Sequence, residues 1–348
     1  MLITDAERLE RFHARQRRWQ GIPSMERTAK GRLFSTFYSG GTGEQWGNYC
    51  VVLTSGDDGL TWSEPIAAAY AGEDARCYDP NLWIDPLGRL WFFWAAMPVC
   101  GVYAVVCEQP DEARLEWSAP VRVGEGVMMN KPTVLSNGDW LLPVAVWRRG
   151  VCVLKPMRSP WPGLSYAVRS ADRGKSFERL GGADVPRRSF DEHMILERGD
   201  GSLLMAVRTK PGIGKSESFD GGRTWTPGAD AWHPGPCSRF FLRRLASGRV
   251  LLVNHHDFTG RNNLTAFLSE DEGETWGGGL LLDGRDDVSY PDGTQSPDGF
   301  LYVTYDRERY GAKDILFAKF TEEDICAGKL VSAGSRLACV VSKLGEES

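Results

Sequence analysis

A short turn that contains glycine and is followed by an apolar stretch recurs six times along the chain. The turn glycines are Gly31, Gly88, Gly138, Gly201, Gly248 and Gly299, roughly fifty residues apart. Glycine supplies the positive φ that a tight hairpin turn needs, and the following stretches, from LFSTFY in the first repeat to LYVTYD in the last, have the composition of strands. A repeat of this length is typical of a four-stranded propeller blade. The sequence therefore predicts an all-β, six-bladed β-propeller whose blades extend from residue 21 to about residue 320.

A second repeat, with the pattern S-x-D-x-G-x-[TS]-[WF], is interleaved with the first. It occupies residues 55–62, 170–177, 218–225 and 269–276, and a degenerate copy ends at Trp117. The Asp side chain can accept hydrogen bonds from amides of its own turn, and Gly permits a left-handed step. These octamers resemble the Asp boxes of the sialidase-like (neuraminidase, or BNR-repeat) superfamily. The resemblance implies the propeller fold, with the boxes as structural turns remote from the functional site.

Two segments fall outside the repeats. Residues 4–18 have a helical pattern, with Thr4 and Glu7 spaced as a capping box, and Thr321 and Asp324 have the same spacing before a short C-terminal helix. We therefore predict a helix within residues 1–20 that packs on the propeller. Residues 21–348 then form a single propeller domain that includes the closing segment.

Charge and hydropathy exclude several kinds of partner. The formal net charge is −5, so there is no electrostatic reason to expect nucleic acid. The first twenty residues lack the apolar run of a signal peptide, and no apolar stretch reaches the length of a membrane span. We expect a cytoplasmic protein that binds a carbohydrate and neither nucleic acid nor membrane, and the sequence makes no prediction of its oligomeric state.

The cofactor motifs that we searched for are missing from the sequence. The eight cysteines are scattered, with no C-x-x-C pair. The glycines belong to turns, and neither a P-loop nor a strand-linked G-x-G-x-x-G is present. We expect no organic cofactor and no metal.

Four residues in blades four to six suggest the chemistry. Glu192 precedes the fourth repeat turn and Arg208 ends the strand after it, while Arg261 leads into the last Asp box and Tyr290 precedes the last repeat turn. This order resembles that of sialidases. The resemblance implies that Tyr290 is the nucleophile, Glu192 the base that takes its phenolic proton, and the two arginines a clamp on a substrate carboxylate. A tyrosine, with an ordinary pKa near ~10, needs such a carboxylate to become nucleophilic.

The chain departs from the sialidase pattern at two places. The family motif Phe/Tyr-Arg-Ile-Pro reads Gln-Gly-Ile-Pro here, so Gly21 stands where the first clamp arginine belongs. We consider Arg27 as a substitute. The family's general-acid Asp is not evident either, and Glu44 is the acidic residue of the corresponding loop. We therefore assign Glu44 as a catalytic candidate.

Other polar residues lie where the first strand of a blade begins. His193 is a further catalytic candidate because a buried imidazole can titrate near neutrality. The remaining candidates for substrate binding are Arg76, Asp79, Asn81, Lys131 and Asp292. Asp79 and Asp292 could also act as acids, and Lys131 as an acid or base.

Three functions remain open from the sequence. The first is a sialidase-like exo-glycosidase that releases a terminal, acidic sugar with retention through a tyrosyl intermediate. The second is a uronate-specific oligosaccharide lyase, in which an arginine neutralises the carboxylate and Tyr290, Lys131 or His193 abstracts a proton. The third is a propeller that binds a sugar without turnover.

Overall fold

Consecutive strands form six antiparallel sheets across residues 1–147 and 159–344, which the computed structural model describes. Cys152, one of the eight cysteines, lies outside the described residues. Blade 1 contains β1 (Leu2–Ile3), β2 (Trp19–Arg27), β3 (Leu33–Gly40), β4 (Tyr49–Ser55) and β5 (Ala67–Ala69). Blade 2 contains β6 (Arg76–Ile84), β7 (Leu90–Met97), β8 (Gly101–Cys107) and β9 (Val121–Gly124). Blade 3 contains β10 (Thr133–Val134), β11 (Trp140–Ala145), β12 (Ser165–Ser170) and β13 (Glu178–Ala183).

The second half of the chain continues the same order. Blade 4 contains β14 (Met194–Glu197), β15 (Leu203–Thr209), β16 (Gly212–Ser218) and β17 (Ala229–Pro234). Blade 5 contains β18 (Phe241–Arg244), β19 (Val250–His255), β20 (Leu264–Ser269) and β21 (Gly277–Asp283). Blade 6 contains β22 (Val288–Gln295), β23 (Leu301–Arg307), β24 (Asp314–Phe320) and β25 (Arg336–Lys343). The predicted six-bladed propeller is confirmed.

The first strands of the blades surround the propeller axis. β2 contacts both β6 and β22, and contacts between β10 and β14, β14 and β18, and β18 and β22 continue the ring. Within residues 1–147 and 159–344, blade 1 alone has a fifth strand, because β1 pairs with the outer strand β5. Residues near the beginning of each first strand therefore converge at one end of the axis.

The six repeat turns connect the first strand of each blade to the second. Their glycines have φ values between 80° and 101°, a left-handed region that other residues enter only at a cost. The apolar stretches that follow them form β3, β7, β11, β15, β19 and β23. The predicted hairpins are confirmed.

The Asp boxes connect third strands to fourth strands. In the first box Asp57 accepts hydrogen bonds from the Thr61 amide at 2.9 Å and the Thr61 hydroxyl at 2.6 Å. These hydrogen bonds lower the pKa of Asp57 to about 2. Third strands end at the face opposite to the one where second strands end. The boxes are therefore structural turns on the face opposite to the one where the first strands begin, as the sequence predicted.

The N-terminal segment contains less helix than the sequence predicted. Helix α1 covers only Ala6–Leu9, and its N-cap is Asp5, which accepts a hydrogen bond from the Arg8 amide, so the predicted capping box at Thr4 is wrong. Short 3₁₀ turns follow, and the extended backbone of His13 separates them. The helix is short because only Leu9 and Phe12 of the apolar face of this segment are buried.

The C-terminal helix α2 (Glu322–Ala327) begins as predicted, with reciprocal capping by Thr321 and Asp324. It packs on blade 5 through Ile325. No helix in the described part of the chain has the length and apolar character needed to cross a membrane.

Candidate active site

Three first strands contain a bulge that turns one side chain out of the regular pleat. The bulged residues are Ile22 in β2, Asp79 in β6 and Tyr290 in β22, each followed by proline and each with a positive φ, of 59°, 48° and 59°. A bulge re-aims a side chain, and positive φ in residues other than glycine stores strain that is common at functional sites. Asp79 and Tyr290 therefore occupy equivalent positions near the same end of the axis.

Glu192 is held by a second strained segment. Phe190, Asp191 and Glu192 have φ values of 57°, 60° and 42° in succession. The register of β14 and β15, continued outward, places Glu192 opposite Arg208, whose amide donates to the Asp191 carbonyl at 2.8 Å. The hairpin of blade 4 thus places the Glu192 carboxylate beside the Arg208 guanidinium.

Tyr290, Glu192 and Arg208 form one hydrogen-bonded group. The Tyr290 hydroxyl donates to Glu192 Oε1 at 2.8 Å, and Arg208 Nη1 donates to the same oxygen at 2.6 Å and to the Tyr290 oxygen at 3.0 Å. The Glu192 side chain is 1% exposed and that of Arg208 is 5% exposed. Glu192 Oε2 is buried without a hydrogen-bond partner among the described residues. A carboxylate thus lies ready to take the phenolic proton.

The environment keeps the Tyr290 hydroxyl protonated in the absence of substrate. Burial raises the pKa of Tyr290, and the negative charge of Glu192 raises it further. The positive charges of Arg208, Arg309 and Arg261 oppose this rise. The phenol therefore depends on Glu192 for removal of its proton and on the three guanidiniums for stabilisation of the resulting anion.

Two further guanidiniums lie over the Tyr290 ring. That of Arg261 is 5.4 Å from the ring centroid, and its Nη2 donates to the Cys237 carbonyl at 3.1 Å. That of Arg309 is 4.0 Å from the centroid. Sequence reasoning missed Arg309, because it lies in the turn between β23 and β24 without a recognisable motif.

A second acidic group borders this cluster. Burial raises the pKa of Asp79 to about 8, and the negative charge of Glu44 contributes to the rise. The charges of Glu192 and Arg309 also act on the Asp79 carboxyl, which lies on a bulge equivalent to that of Tyr290. Glu44 is 42% exposed and lies 4.0 Å from Arg76. The structure thus brings these candidates into one region.

The remaining candidates near the axis belong to a different network. Lys131 Nζ lies 3.0 Å from both Glu26 and Asp292, and Arg239 lies 3.1 Å from the other Asp292 oxygen. Asn81 joins this network because its side-chain oxygen lies 3.0 Å from the Ser24 hydroxyl, which donates to Asp292 at 2.7 Å. These buried contacts tie the inner strands together. Substrate binding by Lys131, Asn81 and Asp292 stays a prediction.

Two predicted residues point away from the Tyr290 group. Arg27 is at the opposite end of β2 from Gly21 and lies over the ring of Tyr302, which bonds to an Asp-box residue on the other face. Arg27 is therefore not positioned to replace a side chain at residue 21. His193 Nε2 lies 2.8 Å from the Tyr166 carbonyl, and burial lowers its pKa to about 4, which keeps the imidazole neutral at pH 7.

The described residues contain no group of three or more His, Cys, Asp or Glu side chains arranged to hold a metal ion.

A family comparison agrees with the repeats. The model of the BNR repeat-like domain matches residues 65–303, which is more than half of the chain. A search of curated proteins found no match.

Solved structures share the architecture. The Hadza microbial sialidase Hz136 is 18% identical with a TM-score of 0.68, and the match covers 88% of this chain and 66% of that one. The intramolecular trans-sialidase from Ruminococcus gnavus, solved with oseltamivir carboxylate, is 13% identical with a TM-score of 0.67, over 90% of this chain and 97% of that one. A protein of unknown function from Dyadobacter fermentans is 18% identical with a TM-score of 0.63, over 84% and 92%. Identities this low show a common fold.

Proposed function

Because the chain belongs to the BNR repeat-like domain family, we propose that it is an exo-acting glycoside hydrolase that removes a terminal acidic sugar with retention of configuration. The observation that carries the proposal is the contact among Tyr290, Glu192 and Arg208, with the hydroxyl 2.8 Å from the carboxylate. A buried phenol that donates to a carboxylate is the arrangement of an activated nucleophile. Because the phenol stays neutral until Glu192 takes its proton, it also repels an anionic sugar less than a carboxylate nucleophile would.

The proposed reaction has two steps. In the first, the Tyr290 oxygen bonds to the anomeric carbon, Glu192 takes the phenolic proton, and the glycosidic bond breaks. The leaving oxygen takes a proton from an acid at the site. In the second, water replaces Tyr290 at the anomeric carbon after losing a proton to the same acid residue, and Glu192 returns its proton to the phenol.

The acid that fits best is Asp79. A general acid must hold its proton at the working pH, and a pKa of about 8 keeps the Asp79 carboxyl protonated at neutrality. Its position on a bulge equivalent to that of Tyr290 supports this role. Glu44, another acid candidate from the sequence, is far more exposed, and its charge supports the protonated state of Asp79.

A substrate panel tests the proposed function. The protein is incubated with aryl glycosides of sialic acid, of hexuronic acids and of neutral sugars, while aryl release and the ultraviolet absorbance of an unsaturated product are recorded. Aryl release from an acidic glycoside, without the unsaturated product, is the expected result. Formation of the unsaturated product would indicate the lyase, and saturable binding without turnover would indicate a sugar-binding propeller.

A further inference from the structure

The side chain of Arg309 lies against the bare backbone of Gly21. A Cβ atom built on Gly21 would be 2.6 Å from Arg309 Cδ, 2.8 Å from Nε and 2.9 Å from Cγ. Contacts below 3.0 Å are not tolerated, and here they involve the middle of the Arg309 chain as well as its head. Any side chain at residue 21 and the observed position of Arg309 therefore exclude each other.

Asp306 fixes Arg309 in this position. Arg309 Nε donates to Asp306 Oδ2 at 2.6 Å, and the same oxygen accepts from the Ile22 amide at 2.7 Å. The other Asp306 oxygen accepts from the Ser289 hydroxyl at 2.8 Å. One carboxylate thus connects Arg309 to the residue after Gly21 and to the residue before Tyr290. Because both neighbours lie at bulges of first strands, Arg309 is held against the axis.

Arg309 still has hydrogen-bonding capacity for a ligand. Its Nη2 lies 3.3 Å from the Ser289 hydroxyl, and its Nη1 donates to none of the described residues. The side chain is 11% exposed, so part of it is accessible to solvent.

The charge at this end of the axis also favours an anion. Arg208 is paired with Glu192 and Arg309 with Asp306, whereas Arg261 forms no ion pair within residues 1–147 and 159–344. Planar guanidiniums that converge with a surplus positive charge match a carboxylate, which can accept two parallel hydrogen bonds.

On the basis of the proposed function, we propose that Arg309 binds the carboxylate of the substrate sugar together with Arg208 and Arg261, and that Gly21 is the residue whose missing side chain admits Arg309. Arg309 is then a substrate-binding residue supplied by blade 6. Gly21 is a specificity-determining residue that touches no substrate itself.

The test compares acids with their esters. The probes are the 4-nitrophenyl glycosides of sialic acid and of glucuronic acid, each as the free acid and as the methyl ester, which keeps the sugar but removes the charge. For the wild-type protein we expect a higher kcat/KM on a free acid than on its ester. Arg309→Ala should lower this preference by roughly ten- to hundredfold, the equivalent of one or two hydrogen bonds between charged groups.

Arg307→Ala provides the matched control. Arg307 lies two residues away in the same hairpin and is also ion-paired, to Asp314 at 3.1 Å, but it has no contact with Tyr290 among those described. It should keep the acid preference of the wild type. Thermal unfolding of both variants separates a binding defect from a folding defect.

Gly21→Ala tests the role of Gly21 in a protein that still has arginine at residue 309. Its Cβ must displace the Arg309 side chain, so the acid preference should fall as in Arg309→Ala. The double variant should lose no more than Arg309→Ala alone, because both changes remove the same interaction.

The outcomes separate the two proposals. If the wild-type protein prefers an acid to its ester and Arg309→Ala keeps that preference, Arg309 does not bind the carboxylate although the proposed function stands. If Arg309→Ala loses the preference and Gly21→Ala keeps it, only the role of Gly21 is overturned. If the wild-type protein neither turns over nor binds any acid better than its ester, the acidic-sugar function fails, and the role of Arg309 fails with it.

Discussion

Replacement of Tyr290 by phenylalanine separates the chemistry of its hydroxyl from its contribution to folding. The change deletes one oxygen, which donates to Glu192 at 2.8 Å and accepts from Arg208 at 3.0 Å. The two charged partners remain bonded to each other at 2.6 Å, so no buried charge is left unpaired. We therefore expect a loss of about 1–3 kcal/mol in the free energy of unfolding, the usual contribution of hydrogen bonds to charged groups.

The effect on turnover should be much larger. If Tyr290 forms the covalent intermediate, phenylalanine cannot replace it, and kcat/KM should fall by about a thousandfold or more. The assay measures kcat/KM on the best acidic substrate of the panel, and urea denaturation of the same preparations measures the free energy of unfolding.

Tyr305→Phe is the matched control. Tyr305 is fully buried in the same blade, and its hydroxyl donates to Asp283 Oδ2 at 3.0 Å, while Asp283 keeps its 2.6 Å ion pair with Arg285. The control should lose comparable stability and keep its turnover. Should Tyr290→Phe retain activity within about tenfold of the control, the tyrosyl mechanism is wrong, because removal of an essential nucleophile lowers kcat/KM by far more than tenfold.

Three further predictions concern the acid, a turn and the axial network. Since the pKa of Asp79 is raised to about 8 from an ordinary value of 3.8, activity should fall as pH rises past about 8. The stability from its protonated form, fully present below 3.8, should be lost as pH rises towards 8, and Asp79→Asn should abolish that loss in urea denaturation. Gly174→Ala should destabilise the protein by more than the ~1–2 kcal/mol expected of Gly138→Ala. Both glycines have φ near 86°, but only at Gly174 would the added Cβ atom lie 2.5 Å from an indole ring. Lys131→Met should cost about 3–5 kcal/mol, since it leaves the buried Glu26 carboxylate without its cation while Asp292 keeps Arg239, whereas Lys319→Met, next to a part-exposed aspartate, should cost about 1 kcal/mol or less in the same assay.

Each of these predictions has a result that contradicts it. An activity profile that stays flat between pH 7 and about 9 would exclude Asp79 as the group that must be protonated. Equal losses for the two glycine variants would mean that the close approach of the indole ring is relieved without cost. A small effect of Lys131→Met, close to that of Lys319→Met, would show that water reaches the axial carboxylates.

The blade architecture could be predicted from the sequence because its determinants are local. A turn glycine needs a positive φ at its own position, and an Asp-box carboxylate bonds to groups four residues away, as in Asp57 and Thr61. Such signals depend on neither the rest of the chain nor the order of the blades. The helix predicted over residues 4–18 is confirmed only over Ala6–Leu9, for the opposite reason, since packing on blade 1 and not helix propensity decides the conformation of that segment.

The residues of the candidate site were predicted from the resemblance to sialidases, and one contact among them also follows from a single hairpin. Glu192 and Arg208 meet because antiparallel register places them opposite each other in blade 4. Tyr290, 98 residues beyond Glu192, reaches them only because the blades close into a ring. Its place in the candidate site came from the resemblance to sialidases, and its contacts came from the structure.

Only the tertiary structure could identify Arg309. The sequence shows a glycine at residue 21 and an arginine in a late turn, at opposite ends of the chain, and no pattern relates them. The first and last blades are neighbours in the closed ring, so the space left by the glycine is filled by the arginine. The sequence by itself determined the blades, because their turns depend on contacts within a few residues. The fold decided which side chains share the axis, because that depends on the closure of the ring.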